Sequence, residues 1–174
     1  NFYVPAGGDE PDIDNNPKFR HKLDFLNEMH HHLKNQITDD QYHVIVGDMN
    51  IAPHVNDVWS HKQLMNVVSH TEVERSKILY MINQHNFCDV LRYFASEDEK
   101  VYSWWSYRNR DWKKTNRGRR LDHIWITENL LEYYKTKEQP DQRTEEWYQF
   151  RYGGLTASSI WKAIDSEANR NCLI

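Results

Sequence analysis

The chain has 174 residues and a formal net charge of −4 at pH 7. This length suffices for one domain with a buried core, or for one domain plus a fragment of another. The mean hydropathy is −0.92, and no apolar run approaches the roughly 18 residues that a membrane helix needs. These values argue against a membrane partner and against a molecule that binds polyanions through its overall charge.

Two cysteines, Cys88 and Cys172, lie far apart in the sequence and form no ligand pattern. They indicate a reducing compartment and no metal site built from cysteine. The chain is also rich in large rings, with 13% aromatic residues and 7 Trp. Such rings serve cores, but they also stack on bases or sugars.

The predicted elements alternate between strands and helices. A capping box from Thr71 to Glu74 opens one of the helices. The pattern predicts strands at 2–4, 43–47, 101–107 and 120–127, helices at 18–37 and 71–84, a strand or helical turn at 88–94, and loops at 5–17, 52–66 and 109–119. This alternation favours a mixed α/β layered fold over a helical bundle.

The composition changes near Lys137. Residues 138–143 are polar and contain one Pro, which predicts a boundary. Beyond it, 144–152 is typical of a capped helix ended by Gly153 and Gly154, and 158–164 of a second helix. The sequence therefore predicts one domain over 1–137 and a short helical fragment over 138–174.

The segment Gly47-Asp48-Met49-Asn50 follows an apolar strand. Side chains two residues apart on extended chain point the same way, so Asp48 and Asn50 can act on one phosphate. The carboxylate can polarise or deprotonate water, and the amide can donate a hydrogen bond to a phosphoryl oxygen. Alternatively, both residues simply form a turn after a buried strand.

Asp122 begins the second strand-edge motif and shares a strand face with Ile124 and Ile126. A carboxylate on an apolar face needs a partner or a metal, because an isolated buried charge is costly. The sequence leaves two interpretations open. Asp122 belongs to a metal-assisted site, or it forms a salt bridge with one of Arg117, Arg119 or Arg120.

A dense basic and aromatic segment precedes Asp122. Cations and rings alternate there, which fits phosphate contacts combined with ring stacking or insertion. The alternative is a solvated charged loop beside core aromatics. The residues are Trp104, Trp105, Tyr107, Arg108, Arg110, Trp112, Lys113, Lys114, Arg117, Arg119 and Arg120.

His30, His31 and His32 are consecutive on a predicted helix. Neighbouring helical positions point about 100° apart, so three such side chains do not share one ion well. We expect them to lie at the surface.

Five motifs in this order resemble bacterial exodeoxyribonuclease III, the abasic-site endonuclease of the endonuclease/exonuclease/phosphatase superfamily. They are GDMNIAP at 47–53, DVW at 57–59, SHTEVER at 69–75, YSWWSYR at 102–108 and NRGRRLD at 116–122. NFYVP at 1–5 matches the segment just upstream in that family. The resemblance covers about residues 1–137.

The resemblance implies a four-layered α/β sandwich, present here in part, and Mg²⁺- or Mn²⁺-dependent phosphodiester hydrolysis. The family nicks duplex DNA 5′ to abasic sites and digests it from 3′ ends. By the motif match, Asp48 would orient or deprotonate the attacking water. Asn50 would bind the phosphate, Tyr3 would lie against it, and Asp122 would orient a catalytic His.

The same match implies contacts to DNA. Trp104 would line the pocket for the abasic sugar, and a pocket that accepts only a baseless extrahelical sugar selects damage. Arg108, Asn116, Arg117 and Arg119 would hold the DNA nearby. The resemblance further implies a monomer from the cytoplasm of a bacterium or a phage-related source.

Two parts of the family pattern are expected to lie outside these residues. The half with the metal-binding Glu would precede Asn1, and the closing Ser-Asp-His motif, which supplies the His partner of Asp122, does not follow the last strand. A missing metal carboxylate weakens the stabilisation of charge on which such chemistry depends. We therefore expect this chain alone to be weak or inactive. A DNA-binding module without catalysis, or a phosphoesterase of another type in the superfamily, is the alternative.

The tail is similar to the opening of YqaJ-like viral recombinases, the lambda-type exonucleases. The similarity lies in RTEEWYQFR at 143–151 and LTASS at 155–159. It implies that Arg151 and Ser158 contact a 5′ phosphate. That family's acidic metal cluster and catalytic Lys would lie beyond Ile174. An exonuclease of viral recombination is thus a further alternative function.

Overall fold

The structure, a computed structural model, describes residues 1–38, 40–96, 98–108 and 110–137, with the side chains of 133–137 left out. The strands are β1 (Phe2–Tyr3), β2 (Val44–Asp48), β3 (Phe87–Asp89), β4 (Trp104–Trp105), β5 (Gly118–Arg119) and β6 (Asp122–Thr127). The helices are α1 (Pro17–Gln36), α2 (His61–Leu64), α3 (Glu72–Gln84), α4 (Val90–Phe94), α5 (Trp112–Thr115) and α6 (Glu128–Lys137), with a 3₁₀ turn at Val55–Asp57.

The two long helices begin within one residue of the predicted positions. The Asn16 side chain accepts hydrogen bonds from the Lys18 and Phe19 amides, and Pro17 occupies the first turn of α1. Thr71 and Glu74 form the predicted capping box of α3. These caps satisfy some of the first amides of each helix, which have no partner within their own helix.

The short elements differ from prediction. The loop predicted at 52–66 contains the 3₁₀ turn and α2, and the strand predicted at 101–107 is reduced to β4. The basic loop predicted at 109–119 contains α5 and β5. The segment 88–94, predicted as a strand or a helical turn, comprises the last two residues of β3 followed by α4. The helix α6 was not predicted. The predicted helices at 144–152 and 158–164 lie outside the described residues.

The main sheet has the strand order β1-β2-β6-β3. β1 runs parallel to β2, whereas β6 is antiparallel to both β2 and β3. β4 and β5 form a separate antiparallel pair. The α/β fold expected from the sequence is therefore confirmed.

One face of the main sheet packs against α1 and α3. Ile45 and Trp125 are opposite one another in the β2–β6 ladder, and both are buried in the same cluster as Phe19 and Ile78. The other face carries Val46 and the residues that alternate with it, including Asp48. The two helices thus cover one face of the sheet, and Asp48 and Asp122 lie on the opposite face.

Gly47 allows β1 to approach β2. Its φ is +144°, and an added Cβ would lie 1.9 Å from the Phe2 carbonyl oxygen. We expect Gly47→Ala to separate the two strands and to lower the free energy of unfolding by about 1–3 kcal/mol or more, the usual cost of such backbone strain. Urea denaturation measures this loss.

Gly8→Ala is the matched control, because Gly8 also has a positive φ (+76°) but its nearest neighbour would be 3.1 Å from the new Cβ. Equal losses in the two variants would show that φ strain alone, and not the approach of β1, accounts for the effect.

Candidate active site

Three side chains from three neighbouring strands lie in a row at one end of the sheet. In the register of the ladders, Asp48 is opposite Asp122 on one side and Tyr3 on the other. Residues opposite one another in a ladder point to the same face. Tyr3 is 70% exposed, and both carboxylates are partly exposed. The structure therefore brings together Tyr3, Asp48 and Asp122, which the sequence places far apart.

Asn50 joins this row through a tight turn. Its φ of 51° lies in the left-handed region, which Asn tolerates better than most residues. Its backbone N–H donates to Asp48 Oδ1 (2.8 Å) and its Nδ2 donates to the Val4 carbonyl (2.8 Å). An amide NH₂ carries two hydrogens, so the bond to Val4 uses one and orients the other.

The Asp48 carboxyl has a raised pKa. Burial is the main cause, and the nearby Asp122 charge adds to it, while the bond from the Asn50 amide, His123 and Lys22 act in the opposite direction. Burial and the Asp122 charge both disfavour a second negative charge at this end of the sheet. A carboxylate with a raised pKa is a stronger base toward water than an ordinary aspartate.

A buried ion pair supports the turn at Asn50 from below. Lys22 Nζ lies 2.6 Å from Glu74 Oε1, and both side chains are fully buried. The same Nζ donates to the Asn50 carbonyl (2.8 Å), while Glu74 accepts from the amides of Ser69 and Thr71. Burial lowers the pKa of Lys22, and Glu74 opposes that shift. The pair thus fixes α1 and α3 beneath the candidate site.

The backbone at Asp122 is fixed by Ser103. The amides of Leu121 and Asp122 each donate to Ser103 Oγ at 3.0 Å. His123, the next residue, points to the other face of the strand, and its Nε2 lies 2.8 Å from the Ile51 carbonyl oxygen. His123 is therefore not an imidazole that Asp122 could orient.

Three arginines are the salt-bridge partners that the sequence offers to Asp122, and in the described ion pairs none of them fills this role. Arg119 donates to Ser69 Oγ (2.7 Å), and the Arg117 guanidinium lies over the Trp59 ring at 4.6 Å. Arg120 is fully buried between two other carboxylates. The salt-bridge interpretation of Asp122 is therefore wrong for the described contacts, because each guanidinium is engaged elsewhere.

The network around Arg120 was not predicted. Its guanidinium bonds Asp57 through Nε and Nη2 (2.8 and 2.9 Å) and Asp89 through Nη1 and Nη2 (2.9 and 2.7 Å). Arg92 also bonds Asp57. Burial alone would raise the pKa of Asp57 and Asp89, but the charges and hydrogen bonds of their basic neighbours, Arg120 foremost, together outweigh it, and the pKa of each lies below the ordinary value. This pairing holds the residue directly before Leu121 and Asp122.

The basic and aromatic segment forms a surface with rings and cations in contact. Trp104 is 38% exposed, and the Arg119 guanidinium lies 5.8 Å from its ring centroid. Arg108 lies over Tyr107 at 5.8 Å, and Lys113 lies over Trp112 at 5.5 Å. We call the set Trp104, Tyr107, Arg108, Trp112, Lys113, Arg117 and Arg119 the ring–cation surface.

Asn116 shapes this surface from its edge. It has a φ of 45° and ends α5 in the left-handed conformation, and its Oδ1 accepts from Trp105 Nε1 (3.0 Å). Its side chain therefore holds an indole in place instead of pointing freely outward. The predicted DNA contacts Arg151 and Ser158 lie outside the described residues.

The described residues contain no group of three or more His, Cys, Asp or Glu side chains able to enclose a metal ion. The three consecutive histidines agree with this, because His31 and His32 are exposed and His30 packs on Tyr80 and His85. No helix in the described part is both long and apolar enough to cross a membrane.

The sequence matches the endonuclease/exonuclease/phosphatase family over residues 2–144. No curated protein gives a match. An AP endonuclease from Archaeoglobus fulgidus is 33% identical, with a TM-score of 0.67 over 75% of this chain and 48% of that one.

Two further solved structures share the fold. A 3′-5′ exonuclease from Neisseria meningitidis is 23% identical, with a TM-score of 0.64 over 74% of this chain and 47% of that one. A 3′ phosphatase from Neisseria, bound to a product DNA hairpin, is also 23% identical, with a TM-score of 0.65 over 74% and 47%.

The chain thus spans about half the length of the structures that it matches. The family match extends slightly past residue 137, where the sequence predicts a boundary. Together with the sheet topology, this match confirms the family expected from the ordered motifs. The chain belongs to the endonuclease/exonuclease/phosphatase family.

Proposed function

We propose that this chain contributes to a nuclease site that hydrolyses phosphodiesters of duplex DNA at abasic sites and 3′ ends. The observation that carries the proposal is the facing pair Asp48 and Asp122, with Tyr3 and Asn50 beside it, at one end of the sheet. The 33% identity with an AP endonuclease supports the substrate class. We expect slow hydrolysis from this chain alone.

Each side chain in the row has a role in the proposed reaction. Asp48, whose pKa is raised by burial, accepts a proton from the attacking water. As the water oxygen bonds to phosphorus, the P–O3′ bond breaks and the leaving 3′ oxygen takes a proton from solvent. The Asn50 amide and the Tyr3 hydroxyl donate hydrogen bonds to the phosphate oxygens on which negative charge develops. Asp122, fixed through Ser103, is the carboxylate that would orient the imidazole of the closing motif expected outside these residues.

The residues present are compatible with Mg²⁺ or Mn²⁺ as the cofactor. Mg²⁺ is usually held by one or two carboxylates together with phosphate oxygens and water. Asp48 and Asp122 supply hard oxygen donors of that kind. The two facing carboxylates repel each other, which contributes to the raised pKa of Asp48, and a bound cation would offset this repulsion. The metal would supply charge stabilisation of the phosphoryl group.

The ring–cation surface is proposed to bind the DNA around the reacting phosphate. Cations over ring faces offer phosphate contacts and stacking in one place, and Trp104 remains partly exposed for an unstacked sugar. Arg119 is held by Ser69 next to Trp104. We propose that Trp104 and Arg119 line the sugar pocket, with Arg108, Asn116 and Arg117 around it.

Incubation of the 174-residue chain with an abasic-site duplex and Mg²⁺ tests the proposed reaction. We expect slow incision 5′ to the abasic site that is abolished in Asp48→Asn and in the presence of a chelator. Incision that persists in both would overturn the proposal, because it would arise from another site or a contaminant.

A DNA-binding module without catalysis is the second candidate, favoured by the ring–cation surface alone. Binding should weaken steeply with salt, and the double variant Arg108→Ala/Arg117→Ala should bind more weakly. In a plot of the logarithm of the binding constant against the logarithm of the salt concentration, the slope should also be smaller by about one for each phosphate that the variant no longer neutralises. Fluorescence anisotropy at several salt concentrations measures both quantities.

Lys18→Ala/Lys34→Ala is the control, since it removes the same charge from exposed positions on α1. If both pairs weaken binding equally, the overall charge and not this surface is responsible. Salt-dependent binding without any incision that depends on Asp48 would favour the binding module over the nuclease.

For the tail, we propose that 138–174 is a separate segment related to lambda-type exonucleases, with Arg151 and Ser158 binding the phosphate. The support is the pair of short motifs at 143–151 and 155–159. Truncation at residue 137 should leave the denaturation midpoint of the remaining chain unchanged, and a large decrease in stability would contradict this division.

A further inference from the structure

The loop of residues 50–53 is supported through its backbone carbonyls. The carbonyl oxygens of Asn50, Ile51, Ala52 and Pro53 each lie within hydrogen-bond distance of a different basic side chain. These partners are Lys22 Nζ (2.8 Å), His123 Nε2 (2.8 Å), His70 Nδ1 (2.6 Å) and Arg75 Nε (2.8 Å), in that order. We call this arrangement the carbonyl ladder.

The carbonyl ladder connects four parts of the fold to one short loop. Lys22 lies on α1, His123 on β6, Arg75 on α3, and His70 just before α3. The Ala52 amide is held as well, since it donates to the Ser69 carbonyl (2.7 Å). Both backbone polar groups of Ala52 therefore depend on the Ser69–His70 segment.

The His70 hydrogen bond defines which ring nitrogen carries hydrogen. A backbone carbonyl only accepts, so His70 Nδ1 must be the donor to Ala52. His70 is fully buried, and burial lowers the pKa of its imidazole, which favours the neutral ring with a lone pair on Nε2. That Nε2 lies 2.8 Å from His61 Nδ1.

The tautomer of His70 in turn determines which ring nitrogen of His61 carries hydrogen. Because neutral His70 offers an acceptor at Nε2, His61 must donate from its own Nδ1. The hydrogen bonds run from His61 on α2 through His70 to Ala52, two residues after Asn50. This is the arrangement by which an outer side chain orients an imidazole.

We propose that His70 is a positioning residue for the Asp48–Asn50 site, and that His61 maintains it in the tautomer that donates to Ala52. The proposal rests on the phosphodiester hydrolysis proposed above. Asn50 is two residues before Ala52 and presents the phosphate-binding amide, so a shift of the loop moves that amide relative to Asp48. Misplacement by about 1 Å costs up to about 100-fold in rate.

Nitrogen-15 NMR of the histidine-labelled chain tests the tautomers directly. We expect His70 in the Nδ1–H form and a hydrogen on Nδ1 of His61. An Nε2–H form of His70 would overturn the proposal, because Ala52 would then receive no hydrogen bond from this ring.

Two His70 variants separate the effect of the Nδ1 hydrogen-bond donor from the effect of the volume that the ring fills. Asn places a donor near the position of Nδ1, whereas Leu fills similar space without one. We expect His70→Leu to speed hydrogen exchange of the Ile51 and Ala52 amides about 3- to 10-fold, the range for removal of one hydrogen bond, and His70→Asn to stay close to wild type.

The rate of incision is the second measurement. We expect His70→Leu to lower kcat by about 10- to 100-fold with a smaller change in KM, and His70→Asn to retain most of it. His31→Leu, at an exposed position on α1, should change neither exchange nor kcat. Equal behaviour of the Leu and Asn variants would overturn the positioning role.

His61→Leu provides a second test of the proposal in case His70→Leu does not fold. His61 is only partly buried and does not contact the loop of 50–53 in the described hydrogen bonds, so its replacement should spare the fold. We expect faster exchange at Ala52, and unchanged exchange would contradict the proposal. If the wild type shows no incision, the proposed function fails, while the NMR and exchange results still decide the role of His70.

Discussion

Replacing Arg120 by Met is expected to lower the free energy of unfolding by about 3–5 kcal/mol, the usual result of breaking a buried ion pair by removing one partner. Arg120 is fully buried and makes four hydrogen bonds to Asp57 and Asp89. Met approximates the length of the side chain but leaves two buried carboxylates short of a cation. Urea denaturation at pH 7 measures the decrease.

Arg117→Met is the matched control. Arg117 is exposed and its described contact is with the Trp59 ring, so its replacement should cost at most about 1 kcal/mol. Similar decreases in the two variants would mean that Arg92, which also bonds Asp57, compensates for Arg120 in the buried network.

The cost of Arg120→Met should depend on pH. In the folded chain the pKa values of Asp57 and Asp89 lie below the ordinary value, because Arg120 and the other basic neighbours together outweigh burial. A lowered pKa gives stability that is present above the ordinary Asp pKa of about 3.9 and is lost as the pH falls through the lowered values. The difference between wild type and Arg120→Met should therefore shrink below about pH 4.

This network also connects stability to the candidate site. The Arg120 amide donates to the Asp57 carbonyl (2.8 Å), so side chain and backbone of one residue are fixed together just before β6. Asp122 follows two residues later, opposite Asp48. Disruption of the network should therefore also disturb the facing carboxylates.

The sequence was informative where a pattern is local. The capping box at Thr71 and Glu74 lies within four consecutive residues, and α1 is long enough for helical periodicity to be visible. By contrast, β4 and β5 have only two residues each. Periodicity has no meaning over two residues, so the strand predicted at 101–107 and the loop predicted at 109–119 were both inaccurate.

The partners of charged residues were the least predictable part of the site. The sequence offers Arg120 as a neighbour of Asp122, but its partners are Asp57 and Asp89, whose proximity depends on how the 3₁₀ turn and β3 pack against β6. Similarly, Asp48 and Asp122 meet only because β2 pairs with a strand that is not its neighbour in sequence. Register between distant strands is set by tertiary packing and not by local pattern.

Replacing Asp48 by Asn is expected to have opposite effects on activity and stability. Incision should fall by about 10²- to 10⁴-fold or to background, as for removal of a general base, while stability at neutral pH should increase. The gain follows because burial and the Asp122 charge raise the pKa of Asp48, so its ionised form is disfavoured in the fold. Asn keeps an oxygen that can accept from the Asn50 amide.

The sign of the pH dependence distinguishes this effect from an ordinary surface change. A carboxyl with a raised folded-state pKa contributes stability below its ordinary pKa of about 3.9, and this contribution is lost as the pH rises through the raised value. The advantage of Asp48→Asn should therefore grow with pH through that range and then stay constant. Asp24→Asn, at an exposed position of α1, is the control for the removal of one negative charge.

Thermal unfolding with a chelator, and again with Mg²⁺, completes the test. Mg²⁺ should raise the Tm of the wild type more than that of Asp48→Asn, because only the wild type presents two facing carboxylates to the ion. If Asp48→Asn is instead less stable at every pH at which Asp48 is ionised, the negative charge strengthens the hydrogen bond from the Asn50 amide, and Asp48 serves the turn alone. The turn and the nuclease interpretations of Gly47-Asp48-Met49-Asn50 therefore predict opposite changes in stability, and this one substitution separates them.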